Sequence, residues 1–543
     1  MRRKVVLLAA LLFVCGVSNV IFAQSYTDGI EYFKSGQPER SKIILNKTMD
    51  DPSTYKAEAL YYLGESEFAL GNKDAALENY SKGIKLDSNY PYNYIGRGKL
   101  MLEKNQKVAE GDFKQAIKLA KKVNCQAGVS TNISRAYFEA GLPQYKKYLD
   151  SAMRTDNRYA PAYVLHGDVY GKEGNVGEAA GMYEMAQSFD PSCIEAYVKY
   201  ALLHYPINPK YATNKLEELL RGHPNSAIAQ RELAEAYFHA GRYNEAVAAY
   251  ARYMANPNHF NNDRARHAAL LYFDKKYEES LTLIEQTLLD DPDNLILNRF
   301  AMYDNFELEN YEQAVGFGKK YIDNSNNTKY LTSQDFMVYG KVLKALNKPS
   351  EYVAAFEGAV KIDPLKAELY KELSDAYKAA GEILKSADAM GKYMDIAGEN
   401  VVTNDYFSLG KIYYQAAGSL TDLKVKKEVY NKADSVFAIV VSRVPEDYRG
   451  YLWRARSQSG MDPETEVGLA KPYYEKVIAI IEANKDSSQD SAVVEAYRYM
   501  GYYNYIKEYA AGSKKYPETK KWWNKILERD PENEIKNTLS QLE

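Results

Sequence analysis

Between Ala162 and Pro191, large and small residues fall in a fixed order: Leu165, Gly167, Tyr170, Gly174, Ala179, Tyr183, Ala186 and Pro191. The same spacing returns in Leu233, Ala234, Tyr237, Gly241, Ala246, Tyr250 and Tyr253. With the place of Gly167 as phase marker, the series runs Gly64, Gly98, Ser134, Gly167, Tyr200, Ala234, Ala268, Met302, Gly340, Ser374 and Gly410, in steps of 33 to 38 residues. Twelve residues on stand Ala76, Ala179, Ala212, Ala246 and Ala314, and sixteen on stand Tyr80, Tyr183, Leu216, Tyr250, Ile284, Phe356 and Met390. Small facing large at helical spacing is what two interlocking helices need. Each unit therefore predicts two antiparallel helices of about 12 to 15 residues. Gly71, Gly141, Gly174, Gly241 and Gly381 mark the turn inside a unit. Pro191, Pro224, Pro292, Pro364, Pro445 and Pro531 mark the breaks after units, because proline cannot continue a helix.

This pattern resembles the tetratricopeptide repeat (TPR) family, whose consensus places a small residue, an aromatic, a glycine, an alanine, an aromatic, an alanine and a proline in that order. The resemblance implies an all-α fold: a right-handed TPR superhelix, or α-solenoid, of about 14 helical hairpins with a C-terminal capping helix. Its regular array is expected over residues 24–398, with TPR-like hairpins carrying insertions, and the capping helix, over 399–543. In the hairpin that begins at Leu409, Ala433, Phe437, Val440 and Pro445 come 11 residues late, which predicts an enlarged first helix or turn. In the family, the first helix of each hairpin lines a concave face that commonly holds an extended peptide or a partner's helix. One place on those helices reads Phe68, Phe138, Phe238, Tyr272, Phe306, Tyr414 and Tyr505, interrupted by Gly171, His204, Lys344 and Lys378. This aromatic ladder is the expected partner-binding surface, although the family also uses an aromatic there for packing. The basic clamp of chaperone-binding members is not recognisable.

Composition fills in the setting. Arg2, Arg3 and Lys4 precede an apolar run from Val5 to Val17 and a small residue at Ala23, so residues 1–23 read as a signal peptide cleaved after Ala23. Val14 stands where a lipoprotein reading of Cys15 would want a small residue. The expected location is the bacterial periplasm or the outer membrane's periphery, with no integral membrane segment after cleavage. Loss of the three leader cations moves the net charge from −3 to −6, which gives no basic excess for nucleic acid. Cys125 and Cys193, two repeats apart, are too few for a disulfide scaffold and should not bond to each other. Tyrosine is the unusual entry, with 50 residues against 17 phenylalanines, and suits positions with a buried ring and a wet hydroxyl.

Chemistry-bearing motifs are missing. The six histidines form no HExxH, and there is no CxxC, phosphate-binding glycine loop or GxSxG. His267 with Asp263 offers two ligands, short of a metal site. Neither cysteine has a neighbouring histidine, and the paired carboxylates Glu278-Glu279 and Asp290-Asp291 fall on solvated faces. No catalytic residue, metal or cofactor is expected. The expected function is a non-enzymatic protein-protein interaction scaffold or adaptor of the cell envelope; the alternative is a recognition subunit of an envelope enzyme or glycan-handling complex.

Overall fold

The computed structural model describes residues 24–324, 328–484 and 490–542, and the expected leader at 1–23 lies outside them. Contacts divide the chain into two compact units, 1–300 and 301–543. The first contains the hairpins α1 (Tyr26–Lys34) with α2 (Pro38–Thr48), α3 (Lys56–Ala69) with α4 (Lys73–Leu86), α5 (Tyr92–Met101) with α6 (Gln106–Val123), α7 (Gln126–Glu139) with α8 (Tyr145–Thr155), α9 (Ala160–Lys172) with α10 (Val176–Phe189), α11 (Ile194–His204) with α12 (Pro209–Gly222), α13 (Ala227–His239) with α14 (Tyr243–Met254), and α15 (Arg264–Phe273) with α16 (Tyr277–Leu288). The division falls within α17 (Leu295–Glu307), which is followed by α18 (Tyr311–Ile322). The second unit continues with α19 (Ser333–Ala345) and α20 (Pro349–Ile362), α21 (Ala367–Ala379) and α22 (Ile383–Ala397), α23 (Thr403–Ser419) and α24 (Leu423–Arg443), α25 (Tyr448–Met461) and α26 (Lys471–Asn484), α27 (Asp490–Ala510) and α28 (Pro517–Arg529). A last short helix, α29 (Ile535–Ser540), packs Ile535 and Leu539 against Trp523 and Ile526. Among the described residues this is an α-solenoid of 14 hairpins and a closing helix, without strands.

The predicted small and large positions meet. A Cβ built on Gly64 would stand 2.4 Å from the Tyr80 ring, on Gly167 2.5 Å from Tyr183, on Gly340 2.3 Å from Phe356 and on Gly410 2.7 Å from Phe437. Each ring from the second helix of a hairpin thus fills a notch that only a missing side chain leaves open. Tyr80 is gripped twice, since a Cβ on Gly96 of the next hairpin would stand 2.3 Å from it. Where serine replaces glycine, its hydroxyl donates to the facing helix backbone: Ser134 to the carbonyl of Tyr145 at 2.8 Å, and Ser374 to that of Ser386 at 2.7 Å.

The turn glycines Gly71, Gly141, Gly174, Gly241 and Gly381 all have φ between 70° and 84°. Lys275, Glu309 and Asn347 stand at the same place in their repeats and adopt the same left-handed backbone, at φ of 60°, 59° and 53°. The turn is therefore set by the stacking of hairpins and overrides local preference at those three positions.

The 11-residue enlargement is distributed differently from the expectation. The turn between α23 and α24 is no longer than that between α9 and α10. Instead α23 has 17 residues against 13 in α9, and α24 has 21 against 14 in α10. Additions of four and seven residues are close to one and two helical turns, so each helix keeps its buried face.

Substitution at the notch is expected to separate packing from propensity. Gly167→Ala should destabilise the chain by about 1–3 kcal/mol through overpacking against Tyr183. Gly181→Ala, in α10 with open space around it, should stabilise by about 0.5–1 kcal/mol. Thermal or urea unfolding of the two variants checks this; equal effects would mean that the notch is not filled as described.

Candidate partner-binding chamber

The aromatic ladder lies at the seam between hairpins. All seven of its rings are half-buried near the C-terminal part of a first helix. In the first unit, Phe68 lies under the Lys99 ammonium at 4.1 Å, and Phe138 meets Tyr145 at 5.4 Å and Lys172 at 4.8 Å. Phe238 meets Tyr243 at 5.7 Å, Phe273 at 5.0 Å and Arg266 at 4.4 Å, while Tyr272 meets Tyr277 at 5.6 Å and Phe300 at 5.4 Å. In the second unit, Phe306 meets Tyr311 at 6.3 Å, Tyr414 meets Tyr430 at 5.4 Å and Trp453 at 5.2 Å, and Tyr505 meets Tyr516 at 5.3 Å. In most of these the ring touches its own second helix on one side and the following hairpin on the other. Tyr505 also lines a cavity, an aromatic cleft of about 640 Å³ with Tyr499, Trp523 and Leu542.

A different set of residues encloses a chamber of about 580 Å³ in the first unit. Its walls come from successive first helices: Glu58, Tyr61, Tyr62 and Glu65 on α3, Asn132, Arg135 and Glu139 on α7, Glu195 and Lys199 on α11, with Tyr90, Tyr92 and Tyr159 at helix starts. Its remaining wall is the turn of the first hairpin, Phe33 to Gly36 with Pro38. The sequence signal for these positions was present, because Glu58, Tyr61, Tyr62 and Glu65 recur at i, i+3, i+4 and i+7 as one helix face.

Ion pairs run along the chamber floor from helix to helix. Lys99 on α5 donates to Glu65 at 2.8 Å and reaches Glu139 on α7 at 2.7 Å. Arg135 on α7 reaches Asp168 on α9 at 3.2 Å, and Lys199 on α11 reaches the same Asp168 at 2.6 Å and Glu195 at 3.2 Å. The interlocking tyrosines join this rail, Tyr80 donating to Glu65 at 2.6 Å and Tyr183 to Asp168 at 3.0 Å. Burial alone would discharge Lys99, but Glu65 and Glu139 outweigh it and hold the ammonium above the ordinary lysine value. For Glu139 burial is likewise outweighed, by Lys99 first, and its carboxyl titrates below the ordinary glutamate value.

The chamber's tyrosine hydroxyls stay protonated. Burial pushes Tyr159 up to about 12 and raises Tyr61 and Tyr62. Burial also raises Cys125 and pushes Cys193 up to about 11, the opposite of what a thiolate nucleophile needs. Both cysteines are free thiols. Asp263, considered with His267 as a metal pair, is instead bound to Arg40 and Tyr253.

The first hairpin closes the chamber by reaching across the repeat stack. Tyr32 donates to the carbonyl of Asn258 at 3.0 Å, and Arg40 holds Asp263 through two hydrogen bonds, at 2.8 and 2.5 Å. The Arg40 guanidinium also covers the Phe260 ring at 4.8 Å, and Tyr32 meets that ring edge-on at 5.3 Å. Tyr32 and Ile44 are fully buried among Tyr197, Ile228, Tyr250 and Tyr253. Residues more than 200 positions apart thus share one core.

Removal of Lys99 is expected to reveal the rail. Lys99→Met leaves Glu65 buried without its cation and should cost about 3 kcal/mol at pH 7. Because Glu139 titrates below its unfolded value in the native protein, the pair's contribution is complete above the unfolded value and fades as pH falls through the native one. The gap between variant and parent should therefore narrow on acidification from pH 7 towards pH 4; unfolding free energies at the two pH values check it, and a gap that widens would contradict the rail.

Comparison with known proteins adds the following. Residues 57–90 and 208–259 match tetratricopeptide repeats. The chain is 24% identical over 397 residues to DnaJ homolog subfamily C member 3 of Gallus gallus, covering 66% of this chain and 76% of that protein. It is 27% identical over 192 residues to the TPR repeat-containing protein MJ1428 of Methanocaldococcus jannaschii, covering 33% of this chain and 31% of that one. Among solved structures it is similar to the C-terminal part of a TPR repeat-containing protein from Cytophaga hutchinsonii, with 27% identity, a TM-score of 0.36, and coverage of 50% of this chain and 96% of that one.

Proposed function

We propose that this chain is a non-enzymatic protein-interaction scaffold, exported to the bacterial cell envelope, that holds a peptide or helix of a protein partner against the first helices of its hairpins. Its tetratricopeptide repeats support a role in protein binding. The observation that carries the location of the site is the chamber of the first unit, where five tyrosines and several charged side chains from successive first helices face one enclosed space. Rigid aromatic rings give contact area at small entropic cost, and polar groups among them fix orientation. In this reading the ladder rings Phe68, Phe138, Phe238 and Tyr272 chiefly set the spacing between hairpins. Export is the part that rests on the leader sequence.

A photo-crosslinking amino acid at Tyr62 is expected to capture a discrete protein from envelope extract, and the same group at Leu86, exposed on a second helix, to capture none. Equal capture from both places, or none from either, would refute the site. Phe238→Ala should lower stability by about 2–3 kcal/mol and leave capture through Tyr62 intact. Lost capture with unchanged melting would return the partner to the ladder.

A further inference from the structure

We propose that the first hairpin is an internal occupant of the concave face formed by α3, α5, α7, α9 and α11, and that this face takes a basic segment of a protein partner once the hairpin swings away. The proposal rests on the preceding reading of that face as the partner surface. Three observations lead to it. With the hairpin in place, its turn from Phe33 to Gly36 with Pro38 forms one wall of the chamber and covers part of the face. A partner segment lying along the whole face must displace that turn.

Lys34 identifies what the face prefers. It projects from the hairpin turn into the chamber, with its ammonium 5.8 Å from the centre of the Tyr62 ring and no carboxylate within ion-pair distance among the described residues. It remains open to solvent while the chamber walls surround it. A cation over a tyrosine ring in a tyrosine-lined recess is the arrangement by which aromatic sites select ammonium and guanidinium groups.

Charge gives the same answer. With the hairpin removed, the chamber lining keeps four carboxylates, Glu58, Glu65, Glu139 and Glu195, against two cations, Arg135 and Lys199. Glu58 receives a hydrogen bond from Tyr26 at 3.3 Å and has no cationic partner among the described residues. The uncovered face is acidic and aromatic, and its complement is a lysine- or arginine-bearing segment. The latch contacts that must release are Arg40 to Asp263, Tyr32 to Asn258, the Phe260 ring between them, and the burial of Tyr32 and Ile44 beside Tyr250 and Tyr253.

The test uses the full chain and fluorescein-labelled hexalysine, with hexaglutamate as its counterpart, followed by fluorescence anisotropy at low ionic strength. Arg40→Gln should release the latch and strengthen hexalysine binding about ten-fold, with no gain for hexaglutamate. Lys34→Ala should strengthen it several-fold without releasing the latch, and Glu58→Gln added to Arg40→Gln should cancel most of the gain. Opening is read independently from thiol alkylation, since Cys193 lies beside Lys34. Cys193 should react faster in Arg40→Gln than in the parent. The proposal is overturned if Cys193 stays at the parental rate, or if the opened chain binds hexalysine no better than hexaglutamate. Should Arg40→Gln melt the fold, Lys34→Ala decides the preference for cations alone: Lys34 is exposed, and unchanged hexalysine binding would overturn it. Capture through Tyr62 with failure here would leave the scaffold reading standing and remove only this inference.

Discussion

Everything in this chain depends on one steric fit, the ring of a second helix lodged in a notch left by a small residue on the first. Tyr80 against Gly64 and Gly96, Tyr183 against Gly167, and Phe356 against Gly340 show how little room the fit leaves. The notch fixes how closely two helices approach, and the ring fixes where along their length they meet. A tyrosine at that place adds a second connection, because its hydroxyl reaches a carboxylate on its own hairpin's first helix, as Tyr80 does with Glu65 and Tyr183 with Asp168. Those carboxylates in turn bind cations from the neighbouring first helices. The abundance of tyrosine over phenylalanine follows at least in part from this: the interlocking ring is also a member of the ion-pair rail.

The rail has a consequence for recognition. Buried ion pairs contribute little net stability when compared with apolar packing, yet removing one partner is costly, so they favour one register over others. Here they line the surface on which a partner is proposed to rest, and most of their charges are already committed to one another. Lys34 and Glu58 are chamber charges without an ionic partner among the described residues. They stand where the first hairpin covers the face, and that placement gives the hairpin a role beyond capping the stack.

The steric fit was legible in the sequence because it repeats. A small residue followed sixteen positions later by a large one, in steps near 34, can arise from stacked hairpins and from little else. The 11-residue enlargement near Leu409 was visible as a delay, but its division between α23 and α24 was not, because added helical turns leave the local pattern intact. The ladder was legible as a recurrence. Its place at the seam was not, since contact with Lys99, Lys172 or Arg266 joins residues 28 to 34 positions away on the next hairpin. Least legible was the docking of the first hairpin. Tyr32 stands four residues before Gly36, as Tyr170 does before Gly174, which marks it for packing within the stack; Arg40 and Asp263 carry no such mark, and nothing local connects residues separated by more than 200 places.

That docking is where the account commits most to three-dimensional structure, and a double-mutant cycle on Arg40 and Asp263 tests it most directly. Unfolding free energies of the parent, Arg40→Gln, Asp263→Asn and the double variant give the coupling between two side chains 223 residues apart. The account predicts a coupling of about 2 kcal/mol, as for charged groups in a shared, largely buried hydrogen-bonded pair. Additive effects, with a coupling indistinguishable from zero, would mean that the first hairpin does not close over the repeat stack.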